Sequence, residues 1–314
     1  MSYPLVSVVI VTYNSKQLIE RCLAPFVATN LPDFDVIIWD NCSTDGTAEY
    51  VSKLFPYFKL IRSPNNIGFA AANNSAFELC SGKYVLLLNP DAFLESLDQI
   101  YFLLKVIDSD ERIAAVGPRL TGADGSNQVG ASGWRVNLFN IASHFLFFHK
   151  LFHKLPSLYL SNARLLKARA VDVDWVAGTC LLVRRGVIDR VGGLNQRIFM
   201  YGEDIEWGQS MRSAGFRVVY VPMVSVLHLG GGTQRKESEI FFSTGWLDYL
   251  AGATAQHGSI LSFVCFKFTV VLGLSIRALA LWTLGAFSRN ERKFAQSRVN
   301  WSYAKHVAQL RRPV

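Results

Sequence analysis

Tyr84-Val85-Leu86-Leu87-Leu88-Asn89-Pro90-Asp91 is the stretch whose reading decides the fold. Its apolar run has no polar alternation, which predicts a strand buried on both faces, and it stops abruptly in Asn-Pro-Asp. Working outward, Val6 to Thr12 (VSVVIVT) is another β-branched run. It is followed from Ser15 by Leu18, Ile19, Cys22 and Leu23 at helical spacing. Val36 to Asp40 (VIIWD) is an apolar strand ending in a carboxylate, and Asn41, Ser43, Thr44 and Asp45 lead into another helix. Lys59 to Arg62 is a short strand, and Gly68 to Cys80 is an alanine-rich helix leading back to Tyr84. This alternation predicts an α/β fold with a single, mainly parallel sheet flanked by helices. Such sheets bind ligands at the carboxyl ends of their strands, where Thr12, Asp40 and Asp91 all fall, so the order of elements alone predicts one nucleotide cleft.

Beyond Gly117 the pattern loosens. A Gly-rich stretch and then Leu138 to Leu160, dense in Phe, Leu, His and Lys, predict a lid or insertion at about residues 120–172. Trp175 to Val183 (WVAGTCLLV) and Phe216 to Val226 read as strands bracketing a helix that begins near Glu203. Ser259 to Phe287 is strongly apolar, but Lys267 and Arg277 divide it into uncharged runs well short of the ~20 residues a spanning helix needs. Burying those two charges at a bilayer centre would cost ~2.5–3.5 kcal/mol each. The expectation is a pair of helices lying on a membrane surface beside Arg289, Arg292, Lys293 and Arg298, with an ordinary buried helix as the alternative.

The chain has 314 residues, half of them hydrophobic and only 18% charged, which excludes a disordered or fibrous class and sits at the apolar edge of soluble proteins. The formal net charge of +8 suits an anionic partner: nucleic acid, an acidic membrane face or a phosphorylated substrate. There is no arginine-rich arm, zinc-finger spacing or aromatic RNP-like segment, so no nucleic-acid partner is expected. Cys22, Cys42, Cys80, Cys180 and Cys265 are scattered and form no CxxC pair, which reads as reduced thiols in a cytosolic compartment. Met1 to Pro4 runs into a strand without a basic n-region or cleavage site, so no secretory signal is expected and the chain is placed on the cytoplasmic side. Homo-oligomerisation is left open.

Three places carry chemistry. Asn89 and Asp91 put hard oxygen donors after a buried strand, which suits Mg²⁺ or Mn²⁺; the same Asn-Pro-Asp is also good turn chemistry. Glu203-Asp204 places two acids at a helix start, where the dipole favours negative charge. That position provides a base for an acceptor hydroxyl, or no more than an N-cap. His228, after a strand and before Gly230-Gly231-Gly232, is a metal ligand, a phosphate contact or a structural histidine. His144, His149 and His153 lie among Phe145, Leu146, Phe148, Leu151 and Phe152. That segment reads as an aromatic, basic surface for a lipid-linked acceptor or as a plain hydrophobic lid, in preference to a second metal site.

Taken together, Ser7 to Asn14 (SVVIVTYN), Asp40 to Thr47 (DNCSTDGT), Asn66 to Asn74 (NIGFAAANN), Tyr84 to Asp91, Trp175 to Val183, Gly192-Gly193-Leu194, Phe199 to Glu206 (FMYGEDIE) and Gly215 to His228 resemble the family 2 glycosyltransferases of the GT-A fold. The resemblance covers roughly residues 5–232. It implies a catalytic domain over 1–235, with a C-terminal helical region over 236–314 on the membrane or acceptor side. It places Thr12, Tyr13, Asn14, Asp40, Asn74 and Asn89 on the nucleotide side. Asp91 and His228 become ligands of Mg²⁺ or Mn²⁺, Asp204 the general base, and Trp175 and Glu203 the acceptor side. The family's Asp-x-Asp appears here as Asn89-x-Asp91, one carboxylate short. Gln209-Ser210-Met211-Arg212-Ser213 lacks the tryptophan of the Gln-x-x-Arg-Trp motif of processive synthases, which favours addition of a single sugar. The implied reaction is inverting transfer from a nucleotide diphosphate sugar to a hydroxyl of a glycan or lipid-linked acceptor. Asn-Pro-Asp together with Phe-Met-Tyr-x-Glu-Asp is similar to rhamnosyltransferases of surface polysaccharide synthesis, so dTDP-rhamnose is the favoured donor and a UDP-sugar the other. The competing class is a non-catalytic sugar-nucleotide-binding scaffold, to which Asn89 points. A nucleotidyltransferase or dinucleotide oxidoreductase is disfavoured, because neither a phosphate loop with a following lysine nor GxGxxG follows the first strand.

Overall fold

The computed structural model describes residues 5–27, 32–152, 154–160, 169–230 and 244–312. The chain divides into two compact units: Met1–Gly133 with Ser161–Arg235, and Trp134–Leu160 with Lys236–Val314.

In the first unit the strands are β1 (Val6–Thr12), β2 (Phe34–Asp40), β3 (Lys59–Arg62), β4 (Tyr84–Leu88), β5 (Ala92–Phe93), β6 (Ile113–Thr121), β7 (Ser132–Gly133), β8 (Val171–Val173), β9 (Trp175–Val176), β10 (Cys180–Arg184) and β11 (Arg217–His228). Between them run α1 (Ile19–Leu23), α2 (Thr47–Leu54), α3 (Phe69–Phe77) and α4 (Asp98–Asp108). The main sheet has the order β3-β2-β1-β4-β10-β6-β11-β5, with β8 paired to β11. β1, β2, β3 and β4 pair in parallel, as do β6 and β11. β10 enters antiparallel between β4 and β6. The sheet is mainly parallel and flanked by helices, as the βα alternation predicts. The apolar reading of Tyr84–Leu88 holds in detail, since all five residues are buried.

Two expectations need correction. Trp175 to Val183 is not one strand: β9 leaves the main sheet to pair with β7, and only β10 joins β4. The region beyond Gly117, read as loose, contains β6, one of the central strands. Gly117-Pro118 has the composition of a turn, but the glycine is required by packing, because a Cβ there would fall 2.2 Å from Val176 Cγ1.

The second unit holds α5 (Leu138–Phe145), α6 (Phe148–Leu151), α9 (Gly245–His257), α10 (Ile260–Ser288) and α11 (Glu291–Gln309). Its core gathers Ile141, Phe145, Leu247, Phe266, Val270 and Val307. The segment 134–160, expected as a lid within the first domain, packs with these C-terminal helices. The expected helix pair over 259–287 is instead one uninterrupted 29-residue helix, long and apolar enough by length and composition to cross a membrane. Lys267 and Arg277 do not break it because helix continuity depends on backbone bonds, and both side chains find partners within the unit. Lys267 Nζ donates to Leu310 O at 2.8 Å, and the Arg277 guanidinium lies 5.0 Å from the Phe147 ring centre. α11 folds back along α10: Ser297 Oγ donates to Ala278 O at 2.8 Å, and Phe294 lies against Gly285.

Candidate active site

The carboxyl ends of β1 and β2 bring Thr12 and Asp40 side by side in register. Thr12 Oγ1 donates to Asp40 Oδ1 at 3.0 Å, and the Ser43 amide donates to Asp40 Oδ2 at 3.1 Å, so this buried carboxylate ties the end of β1 to the loop that follows β2. Asn14 takes a left-handed backbone (φ 53°), a region asparagine tolerates. Its Oδ1 accepts from the Thr44 amide at 2.8 Å, while its own amide donates to Ser43 Oγ at 2.9 Å. Tyr13, between them, is about half exposed (49%) at the same strand end. Asn41, a residue the motif reading passed over, extends the arrangement. Its Nδ2 donates to Asn66 Oδ1 at 2.8 Å and its Oδ1 accepts from the Ile67 amide at 3.0 Å. Gly68, next in line, has φ +84°, and a Cβ on it would fall 2.7 Å from Phe199 O, the carbonyl that accepts from the Phe69 amide. A non-glycine residue there would be strained and would collide with backbone.

Asp91 and His228 are brought together by the pairing of β5 with β11: Ala92 sits opposite His228, and the Leu229 amide donates to Asp91 O at 3.1 Å. His228 Nε2 lies 3.3 Å from Asp91 Oδ1, with both side chains largely buried. Gln128 grips His228 twice: Nε2 of the glutamine donates to the His228 carbonyl at 2.6 Å, and its Oε1 lies 2.7 Å from Nδ1 of the ring. With the amide nitrogen committed to the carbonyl, Oε1 must accept, so Nδ1 carries a proton and Nε2 is the ring nitrogen turned toward Asp91. Metal-binding histidines are oriented by such an outer partner. One carboxylate and one imidazole nitrogen suit a divalent ion that completes its shell with phosphate oxygens and water. Among the described residues no group of three or more His, Cys, Asp and Glu forms a fuller cage. Asn89, in place of the first acid of Asp-x-Asp, is half-buried, and its backbone amide donates to Thr179 O at 2.8 Å.

The base candidate is tied to that same segment. Asp204 opens α8 (Glu203–Ser213), whose seat is the buried Trp207, stacked on Phe77 with its indole NH on Gly192 O at 2.9 Å. Asp204 Oδ2 accepts from the Gly178 amide at 3.1 Å and Oδ1 from the Ile205 amide at 2.8 Å. The break between β9 and β10, residues 177–179, therefore holds Asn89 at one residue and Asp204 at the next. Burial raises the Asp204 pKa despite its amide partners, which makes it a stronger base than an exposed aspartate. Its neighbour Glu203 is buried, and its Oε2 has no hydrogen-bond partner among the described residues. Burial first, and the Asp204 charge second, push it up to about 8.

The remaining predicted positions lie elsewhere. Asn74 spends its whole amide on Leu194: Nδ2 donates to Leu194 O at 2.7 Å and Oδ1 accepts from the Leu194 amide at 2.8 Å. It braces the Gly192-Gly193-Leu194 turn. Trp175 is 2% exposed and lies against Gly208 of α8, so it supports the helix that carries Asp204 and offers no open surface. In the second unit, His144 and His149 stack at 5.6 Å, and His144, half-buried with Nδ1 3.0 Å from Ser157 Oγ, has its pKa lowered to about 3, mainly by desolvation. His153 lies outside the described residues, as do Gly231 and Gly232. Three of the five cysteines are buried core residues, Cys42 is partly exposed and Cys265 is exposed.

Carboxylate, amide and imidazole groups gathered at the carboxyl ends of an α/β sheet are the arrangement of an α/β enzyme site. The model of the glycosyl transferase family 2 matches residues 7–192, and the chain belongs to that family: it is a glycosyltransferase. It is similar to the N-acetylglucosaminyl-diphospho-decaprenol L-rhamnosyltransferase of Mycobacterium tuberculosis, with 32% identity over 233 residues, 70% of this chain and 75% of the relative. It is also similar to the chondroitin synthase of Pasteurella multocida, 32% identical over 156 residues, 46% of this chain and 16% of that one. Among solved structures, the mannosyltransferase PcManGT of Pyrobaculum calidifontis in complex with GDP-Man and Mn²⁺ shares the fold. It has a TM-score of 0.55 at 17% identity, covering 98% of this chain and 87% of that one.

Proposed function

We propose that this glycosyltransferase adds a single sugar, with inversion, from a nucleotide diphosphate donor to a hydroxyl of a lipid-linked glycan at the cytoplasmic face of a membrane. The observation that carries the reading is the shared connector: Thr179 holds Asn89 and Gly178 holds Asp204. On this reading the base and the residue on the diphosphate side of the donor are tied to neighbouring residues of one segment. Asp91 and His228 would hold Mg²⁺ or Mn²⁺, and such an ion, when bound, neutralises the charge of a departing diphosphate. Gln128 keeps the His228 ring turned toward Asp91. Asp204 takes the proton of the acceptor hydroxyl as that oxygen attacks the anomeric carbon, so no covalent intermediate with the protein is needed. The Thr12–Asp40 pair and the Asn14–Thr44 contact hold the loop that receives the base and ribose.

dTDP-rhamnose is the favoured donor and a lipid-linked N-acetylglucosaminyl diphosphate the favoured acceptor, supported by the rhamnosyltransferase relative of M. tuberculosis; a UDP-sugar is the alternative donor. Calorimetric titration with UDP, dTDP and GDP, each with and without Mn²⁺, tests this. Metal-dependent binding of dTDP alone is expected, selective UDP binding redirects the donor, and failure of all three to bind folded protein overturns the reading. Asn89 in place of an acid favours a second reading, a non-catalytic nucleotide-sugar scaffold. Nucleotide binding without any transfer, equal in wild type and Asp204→Asn, would establish that reading.

A further inference from the structure

The basic charge of the chain is segregated. Residues 134–160 and 236–314 hold 13 of the 32 lysines and arginines but only 4 of the 24 acids, a net +9, which leaves the sheet-bearing unit at −1. The same +9 unit carries an exposed apolar stripe. Leu261, Val264, Phe268, Leu272, Leu279 and Trp282 recur along α10 at intervals of three, four or seven residues and are all exposed, while Phe263, Phe266, Val270 and Leu274 fill the unit's core from the opposite face. From Leu261 to Trp282 the stripe runs roughly 30 Å. Phe268 and Leu272 also line an open groove of ≈ 390 Å³ with Val271, Ser275, Ala308 and Lys267. Beyond the stripe, Arg289, Arg292 and Arg298 are exposed.

We infer that α10 lies in the plane of an anionic phospholipid surface, with this stripe sunk among the acyl chains and the arginines of the turn and of α11 on the headgroups. The pattern of an apolar face bordered by cationic side chains and tryptophan is that of an interfacial helix. α10 is long and apolar enough to span, but α11 is packed along it from Phe294 at Gly285 to Leu310 at Lys267. Crossing the bilayer would drag Arg292, Lys293, Arg298 and Lys305 into hydrocarbon with it, whereas an in-plane helix leaves them in the polar layer. The inference deepens the reading above by naming what holds the enzyme where a lipid-linked acceptor resides. It is tested by binding alone, so it stands or falls apart from transfer.

Cys265 sits on the stripe and is the one fully exposed cysteine among the described residues. The full chain labelled there with a polarity-sensitive fluorophore is mixed with vesicles of phosphatidylcholine, with or without 30% phosphatidylglycerol. Binding at least tenfold tighter to the anionic vesicles is expected, weakened by 0.5 M salt, with the label quenched by shallow spin-labelled lipids and not by deep ones. Phe268→Asp with Leu279→Asp should cost at least tenfold in vesicle binding while transfer to a short soluble acceptor is unchanged. Deep quenching would overturn the in-plane placement. Absence of binding by folded wild type would overturn the proposal, as would a stable dimer that the double variant dissociates, since the stripe would then cover itself with a second copy. If vesicle binding survives and transfer fails in every assay, the function is wrong and the membrane face stands.

Discussion

The strand ends of the first unit and the α10 face of the second treat their side chains in opposite ways. At the strand ends nearly every polar group is committed to the protein itself. Asp40 holds Thr12 and Ser43, Asn41 holds Asn66 and Ile67, and Asp204 holds Gly178 and Ile205. Along α10 the large side chains of one whole face are left exposed. A site that must align reacting atoms is stiffened by internal bonds before any ligand arrives, because reorganising dipoles during the reaction costs rate. A face that must meet a fluid partner needs only area and charge.

The contrast breaks most sharply at Asp204. Asp204→Asn keeps an acceptor for the Gly178 amide but removes the base, so transfer should fall by roughly 10²–10⁴-fold with nucleotide affinity little changed. A variant that transfers at the wild-type rate would show that the carboxylate is only a helix cap. Next comes Asp91→Asn, for which loss of metal-dependent tightening of nucleotide binding is expected by calorimetry, and retained tightening would move the ion elsewhere. Gln128→Ala probes the outer support. With the His228 ring free to turn, Mn²⁺ affinity should fall roughly 10–100-fold. Gln128→Glu, which still offers an acceptor to Nδ1, should restore most of it, a rescue that a purely structural role would not produce.

Smaller effects test stability. Glu203 is held near 8 when folded and titrates near 4.5 when unfolded. The folded protein therefore binds the extra proton, and this group's favourable contribution, complete below pH 4.5, is lost as pH rises through 8. Glu203→Gln should flatten that decline in thermal denaturation and exceed the wild type in stability at pH 8, with no gain at pH 4. Asn74→Ala leaves both backbone groups of Leu194 without their partner and should cost about 1–3 kcal/mol in denaturant unfolding, with a smaller effect on nucleotide affinity.

What the sequence made legible is what repeats along the chain. β1, β2 and β4 are short apolar runs with polar stops, and their parallel order puts Thr12, Asp40 and Asp91 at one edge of the sheet. β6 was hidden because Gly117-Pro118 has turn composition, and only the approach of Val176 explains the glycine. Trp175 to Val183 is interrupted only by Gly178 and Thr179, too slight a signal beside the apolar residues around it to mark the departure at residues 177–179, where the backbone turns to hold Asn89 and Asp204. Gln128 is one polar residue in a Gly-rich loop, a hundred positions from its histidine. Lys267 and Arg277 read as breaks in the apolar run over 259–287, but a folded partner satisfies each of them and one helix runs through both.

The three-residue connector between β9 and β10 has one more consequence. Because it grips Asn89 with one residue and Asp204 with the adjacent one, it would act, on the proposed function, as a fixed gauge between leaving group and proton acceptor. Different sugars can be accommodated by reshaping the surrounding loops, since none of that alters the gauge. Lengthening it by a single alanine, by contrast, would put every donor out of step with every acceptor at once.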